Sequence, residues 1–462
     1  MGGEPSERPV VIASNRGPFT YHRDGGGLVA QRGGGGLVSG LAPLLDSGRA
    51  TWVAAAMSEV DREVARAGPD AAPTPGVHLV APDPEDFRRY YDVVSNQVLW
   101  FVHHNLFDLA REPAFDADWR DSWEAYRRVN HAVADAVCEV APQGAAVLVQ
   151  DYHLTLVAPP VRRQRPDLRL VHFHHTPFAG PDGARVLTPD ARRELLASLA
   201  AHHACGFHTP DWVANYTEVQ RRWGPAEGPG HVFCGTLNSD VDALTDTARS
   251  PACEQALAEL DELVGDRQLV VRVDRMELSK NIVRGFLAFD RLLATRADLR
   301  NRVVFVACCY PSRLGVPAYA RYRADVEAAA SEVNERWADD DWCPVVLLTD
   351  DDYPRSVAAY RRYDVLLVNP VRDGLNLVAK EGPMVNERDG QLVLSTEAGA
   401  WSELAGAADG VSPFDVEATA EALAAALDRP AAERRARAAL LRRAAGARTP
   451  ADWLDDQLRA AG

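Results

Sequence analysis

The sequence predicts an α/β protein built from two doubly wound domains, and three observations lead there. The chain has 462 residues, too many for one ordinary hydrophobic core, so two domains of similar size are the natural division. Short apolar runs bounded by turn residues alternate with longer helix-compatible segments, the pattern of parallel sheets with crossover helices. The runs fall into two series, separated by the polar, turn-rich stretches GPAEGPGHV and GTLNSDVDALTDTARS near residues 224–250.

The first series contains VVIASN (10–15), WVAAAM (52–57), VHLVAP (77–82), AVLVQDY (146–152), LVHFHH (170–175) and ACGFHT (204–209). The second contains LVVRVDR (269–275), RVVFVACC (302–309), PVVLLTD (344–350), DVLLVNP (364–370) and QLVLST (391–396). Residues 1–235 are therefore assigned to an N-terminal domain, 236–448 to a C-terminal domain, and 449–462 to a helix packing back on the first. From about residue 416 the chain is Ala- and Arg-rich and helical in pattern.

Composition narrows the function. A chain 47% apolar and 25% charged is an ordinary globular protein. Its formal charge of −16 argues against a nucleic-acid partner, and an anionic ligand needs locally concentrated cations. The seven cysteines (138, 205, 234, 253, 308, 309 and 343) are odd in number and lack CxxC spacing, which fits reduced thiols better than disulfides or a zinc site. No apolar run approaches the roughly 18 residues of a membrane span, so a cytoplasmic protein without a membrane partner is expected. A homo-oligomer is left open.

Ligands of open α/β sheets sit beyond the carboxyl ends of the strands, so the loops there carry the chemistry. SNRGP (14–18) ends the first strand with Arg16, and QRGGGGLVSGL (31–41) supplies four glycines, Gly35 and Gly36 among them, before a helix. Such glycines let backbone N–H groups approach a phosphate, although a flexible loop with a surface arginine reads almost as well. The pattern is not GxGxxG, so a dinucleotide oxidoreductase gains little support. In VRVDRMELSKN, Arg275 and Lys280 can converge on a diphosphate and neutralise charge on a leaving group, though each alone would pass for solvated surface.

VRDGLNLVAKE (371–381) is the most specific element. Gly374 permits a tight turn, and the N–H groups of Leu375, Asn376 and Leu377 at a helix start can face a diphosphate. Glu381, about two turns along that helix, can bind a ribose diol, and Asp373 a sugar hydroxyl. Their alternatives are a surface charge for Glu381 and an N-terminal cap for Asp373. VQDYHL (149–154) and VHFHHTPF (171–178) place Asp151, His153, His174 and His175 at strand ends, where sugar-hydroxyl recognition is favoured over metal ligation. RRYYDVVSNQVLW (88–100) adds Tyr90, Tyr91 and Trp100 as a sugar platform or as core. The acidic TDDDYP (349–354) suggests a metal-held diphosphate. With Arg275 and Lys280 available for that charge, a solvated acidic turn is the simpler reading.

SNRGP, GGGGL, YYDVVSNQVLW, QDYHL, HFHHTPF, CGFHT, VDRMELSKN, YPSR, VRDGLNLVAKE, LSTEAGAWSEL and VSPFD, in that order along nearly the whole chain, resemble the retaining glycosyltransferases of family 20, typified by trehalose-6-phosphate synthase. The resemblance implies a GT-B architecture, two Rossmann-like doubly wound domains facing across a cleft. It implies transfer of glucose from a nucleoside diphosphate glucose to glucose 6-phosphate by a metal-free, front-face route, with no cofactor. Arg16, Tyr91, Trp100, Asp151 and Arg313 of YPSR then match acceptor-binding positions. Gly35, Gly36, Arg275, Lys280, Leu375, Asn376, Leu377 and Glu381 match donor-binding positions, and His175 and Asp373 match contacts to the transferred glucose. Arg275, Lys280, Asp373 and His175 form the expected catalytic set.

Three departures from the family pattern stand out. PFTYHRDGGGLVAQRGG lengthens the first loop, WVAAAMSE has Ala where a second acceptor-site Trp is usual, and FCGTLNSD replaces a proline-containing crossover. The region of TDDDYP looks unlike UDP-using members, which favours GDP-glucose over UDP-glucose. The NERD segment (386–389) resembles a cyclitol-coupling branch, so a related transferase with a cyclitol or glycerol phosphate acceptor is the first rival. A non-catalytic sugar-phosphate sensor is the second, and the retained leaving-group cations weigh against it.

Overall fold

The computed structural model describes residues 8–25, 27–33, 36–68, 74–228 and 230–462. It forms two compact units, residues 1–237 with 450–462, and residues 238–449. In chain order the strands of the first unit are β1 (Val10–Ser14), β2 (Phe19–Asp24), β3 (Gly27–Arg32), β4 (Ala50–Ala55), β5 (Val77–Val80), β6 (Ala146–Gln150), β7 (Arg169–His174), β8 (Ala204–Phe207) and β9 (His231–Cys234). The second unit holds β10 (Gln268–Met276), β11 (Val303–Pro311), β12 (Val345–Leu348), β13 (Val365–Val368), β14 (Gln391–Ser395) and β15 (Asp409–Val411).

The first unit's main sheet is parallel and ordered β5-β4-β1-β6-β7-β8-β9. The second is parallel and ordered β12-β11-β10-β13-β14-β15, the doubly wound order in which the chain reverses direction beside its first strand. Strands β1, β6, β13 and β14 are buried along their whole length. Helices cover both faces of such a sheet, which is why these strands read as continuous apolar runs rather than alternating ones. The reversal falls between β1 and β6 in one unit and between β10 and β13 in the other. The loops after these four strands are where a ligand of each sheet would lie.

Two parts of the sequence reading need revision. The lengthened first loop is a two-stranded antiparallel hairpin, β2 with β3, in which Tyr21 is buried and its backbone N–H bonds to Asp61 Oδ1 at 3.0 Å. The stretch around 224–250 is not wholly a break, because His231–Cys234 adds β9 to the first sheet and the unit runs on to Leu237. β9 (HVFC) and β15 (DGV) are short, partly exposed edge strands without the apolar run that marks the others. No disulfide forms among the described cysteines, and no described helix is long and apolar enough to cross a membrane.

Helices Val416–Leu427 and Ala431–Ala445 belong to the second unit, while Pro450–Ala460 returns to the first. Trp453 anchors the last helix. It is fully buried and sits edge-on to Phe173 of β7 at 5.1 Å and against the His175 ring at 5.6 Å. Gly40 lies so close that a Cβ there would stand 2.9 Å from the indole. Truncating Trp453→Ala leaves a cavity the sheet cannot fill and is expected to destabilise the first unit by about 3–5 kcal/mol. Urea unfolding checks this, and a loss below about 1 kcal/mol would show that the helix is not anchored there.

Candidate active site

In the first unit the loops at the reversal, with Tyr91 from a neighbouring helix, bring four side chains and the His175 backbone into one chain of contacts. Arg16, exposed at the end of β1, donates from Nη2 to the Tyr91 hydroxyl at 3.2 Å. Tyr91 stacks on His153 at 5.9 Å, and His153 Nδ1 lies 4.0 Å from Asp151 Oδ2. Asp151 Oδ1 in turn accepts the His175 backbone N–H at 3.2 Å. Asp151 holds a φ of +68°, a conformation that a residue with a Cβ adopts only at an energetic cost and that concentrates at functional sites.

Tyr91 reaches this position from a π-helical stretch, Arg89–Leu99, whose wider turn is itself more frequent at functional sites. The aromatic pair read together as a platform divides here. Tyr90 is buried, its hydroxyl donating to Asn15 Oδ1 at 2.9 Å, whereas Tyr91 is half-buried. Trp100 is 7% exposed and stacks on His104 at 4.0 Å. Gly36 heads the helix Gly36–Asp46, and Gly35 lies outside the described residues.

His175 is held by a directed run of hydrogen bonds. The Leu237 N–H donates to His208 Nδ1 at 3.4 Å, so His208 carries its proton on Nε2 and donates to His175 Nδ1 at 3.2 Å. His175 Nε2–H is then left to donate to Gln150 Oε1 at 3.0 Å, and Gln150 Nε2 donates to Gln457 of the last helix at 3.0 Å. The tautomer follows from this network. Burial pushes the His175 pKa down to about 3, so the ring is neutral at ordinary pH and both of its nitrogens are engaged.

In the second unit the site is a set of cations held by carboxylates. Lys280 Nζ donates to Asp373 Oδ2 at 2.6 Å, and Asn376 Nδ2 reaches the same oxygen at 3.1 Å. Burial works against the Lys280 charge, but Asp373, Asp274 and Glu277 outweigh it and raise its pKa above the ordinary value. Arg272, fully buried, pairs with Asp274 at 2.8 Å and donates to the Lys280 carbonyl at 3.0 Å, fixing the turn that carries the lysine. Arg275 is exposed and pairs with the buried Glu277 at 3.0 Å. Arg313, at a φ of +50°, donates to the Tyr319 hydroxyl at 2.9 Å and lies 3.7 Å from Glu277.

The helix after VRDGLNL starts later than the sequence suggested. It spans Val378–Val385, because Asn376 at φ +79° breaks the helical path through Leu375–Leu377. Glu381 therefore lies in the first turn of that helix, not two turns along it. It accepts the Ser239 hydroxyl at 2.6 Å, and burial raises its pKa while the Ser239 and Tyr360 hydroxyls lower it. Asp373 Oδ1 accepts the Leu375 N–H at 3.4 Å, so it caps the turn while holding Lys280. In TDDDYP, Asp352 caps the helix Tyr353–Arg362, and Asp350 stands in solvent. The NERD segment also has a local role: Asn386 bonds the backbone of Tyr360, Tyr363, Arg388 and Gly390, and Glu387 pairs with Arg361.

Among the described residues no group of three or more His, Cys, Asp or Glu is placed to hold a metal ion. An apolar cavity of about 30 Å³ lined by Leu99, His103, His174, Phe178 and Leu195 has room for about two waters and no sugar. Sequence reasoning left Glu277, Tyr319 and Ser239 without assigned roles. Of these, Glu277 carried a visible signal, a carboxylate between two cations in RMELSK.

Comparison with known proteins places these observations. The model of "Glycosyltransferase family 20" matches residues 8–461. A validamine 7-phosphate valienyltransferase of Streptomyces hygroscopicus is 31% identical over 97% of this chain and 93% of its own length. A bifunctional trehalose-6-phosphate synthase/phosphatase of Thermoproteus tenax is 33% identical over 76% of this chain, and the match spans only 49% of that protein. The crystal structure of a UDP-forming α,α-trehalose-phosphate synthase from Burkholderia vietnamiensis superposes with a TM-score of 0.84 at 31% identity, covering 98% of this chain and 99% of the other. Two Rossmann-like α/β units with this likeness define a GT-B glycosyltransferase fold. The chain belongs to glycosyltransferase family 20.

All thirteen histidines lie in the first unit, and burial depresses at least five of them: His172 and His174 well below 6.5, His175 to about 3, and His202 and His203 to about 4. A depressed histidine gives stability that is present above its unfolded pKa of 6.5 and lost as pH falls toward the folded value. The first unit is therefore expected to weaken steadily from pH 6.5 to about 4, with His202→Gln flattening the decline. Urea midpoints across that range test this, and a midpoint unchanged between pH 7 and 5 would contradict it.

Proposed function

We propose that this chain transfers glucose from a nucleoside diphosphate glucose to O1 of glucose 6-phosphate with retention, forming α,α-trehalose 6-phosphate. The observation that carries the reading is the cation set at the second unit's reversal: Lys280 against Asp373, with Arg275 one strand-end away. In this reading the C1–O bond to the diphosphate breaks and a C1–O bond to the acceptor forms on the same face. The acceptor hydroxyl proton passes to the departing diphosphate oxygen. Arg275 and Lys280 stabilise the charge that develops on that diphosphate, so no protein nucleophile and no metal are needed. Asp373 and His175 serve the transferred glucose, Glu381 the ribose, and Arg16, Tyr91, Trp100, Asp151 and Arg313 the acceptor.

The donor base is the finer part of the proposal. The TDDDYP stretch (349–354), unlike that of UDP-using members, leans the reading to GDP-glucose, and the UDP-forming Burkholderia relative makes UDP-glucose the competing donor. A second reading, transfer to a cyclitol phosphate, is supported by the valienyltransferase likeness over nearly the whole chain. The NERD segment no longer adds to it, because Asn386 and Glu387 are committed to a local turn.

A mass-resolved assay of chelator-treated protein with glucose 6-phosphate and each donor tests the reading. Disaccharide phosphate with matching nucleotide release is the expected result, and Arg275→Ala is expected to lower turnover by about 10²–10³-fold with the fold intact. Product only with a cyclitol phosphate acceptor would establish the second reading. Near-normal turnover of Arg275→Ala would remove the leaving-group role.

A further inference from the structure

We infer that Glu277 is a positioning residue that ties the donor-side Arg275 to the acceptor-side Arg313 through one buried carboxylate. The inference rests on the proposed function for the roles of the two arginines. Glu277 has no exposed side-chain surface; its Oε1 pairs with Arg275 Nη1 at 3.0 Å, accepts the Ser312 hydroxyl at 3.2 Å, and lies 3.7 Å from Arg313 Nη1, an ion-pair distance. Its backbone joins the same turn. The Glu277 N–H donates to the Arg275 carbonyl at 2.7 Å, and its carbonyl accepts the Lys280 N–H at 2.9 Å.

A carboxylate removed from water is tolerated only when charge or hydrogen bonds replace the lost hydration. Here the replacement comes from two guanidinium groups that would otherwise repel each other. The effect on them differs in kind. Arg275 is a long side chain with 43% of its surface exposed, and its pairing with the buried Glu277 favours one position for it. Arg313 is already restrained by Tyr319 and by its own strained backbone, so Glu277 sets the direction of a guanidinium whose base is fixed. Because one oxygen serves both arginines, a disturbance at Glu277 reaches both substrates. Tyr319 holds Arg313 by a direct hydrogen bond, so a disturbance there acts first on Arg313.

That difference separates positioning from a general structural role. Glu277→Gln keeps the shape and removes the charge, and KM for donor and acceptor are both expected to rise about tenfold, as for loss of a charge-assisted hydrogen bond, with kcat falling. Tyr319→Phe is expected to raise the acceptor KM and leave the donor KM unchanged. Should Glu277→Gln not fold, Glu277→Asp, which keeps the charge and moves the oxygen, must still shift both KM values together. Unchanged KM values in a folded variant, or a fall in both as expected if Glu277 only weakened anion binding, would overturn the inference. Arg275→Ala and Arg313→Ala in the same assay keep the two readings apart. If Arg313→Ala leaves the acceptor KM unchanged, the assigned roles fail. If both arginine variants behave as assigned and Glu277→Gln does not, only the tie fails.

Discussion

The site in the second unit depends on one constraint: the cations we propose for a diphosphate must be held in place by carboxylates that do not cancel them. In a chain of net charge −16, a lysine left to itself would be drawn to any acidic neighbour. Here Lys280 is given a specific one, Asp373, within a set that also contains Arg272, Asp274 and Glu277. Burial alone would favour its neutral form, and the surrounding carboxylates keep it charged. Asp373 is itself shared with Asn376 and with the Leu375 N–H, so it has other partners when an anion competes for the lysine.

Backbone strain accompanies these side chains. Asp151, Arg313 and Asn376 have φ of +68°, +50° and +79°, in a region residues with a Cβ rarely enter. Each follows a strand and directs a side chain or an N–H where a relaxed turn would not. In the first unit the same economy of partners appears at His175, whose two ring nitrogens are engaged by His208 and Gln150 and whose ring packs on Trp453. The last helix thus supports the group it follows by more than 270 residues in sequence.

Much of this was legible in the sequence because both sheets are parallel and covered on both faces, which writes strands as bare apolar runs. All eleven runs named from the sequence are strands, with ends shifted by a few residues. The hairpin β2–β3 was hidden because its alternation is mixed with charge, and β9 and β15 because they are partly exposed and carry no apolar run. In the site, residue type and position after a strand were enough to bring Arg275, Lys280 and Asp373 into view. Partner choice was not. That Lys280 meets Asp373 and Arg275 meets Glu277 depends on two loops 93 residues apart in one case and two residues apart in the other, and periodicity says nothing about either. The helix start was misplaced because Asn376, a residue type that enters positive φ more readily than most, was read as part of the helical run. Tyr90 and Tyr91 differ in burial because successive residues on a helix point in different directions, and the sequence does not say which of the two faces the core.

The account's central claim is that Lys280 is the diphosphate's cation and Asp373 its temporary partner. Calorimetric titration of UDP and GDP, in the presence of chelator, into the wild type, Lys280→Met and Asp373→Asn tests it most directly. The account predicts that Lys280→Met weakens binding of the preferred nucleotide by about a hundredfold, while Asp373→Asn binds it at least as tightly as the wild type because a competing carboxylate is gone. Equal losses in the two variants would contradict it, since the pair would then be a structural unit and not a site held ready for an anion.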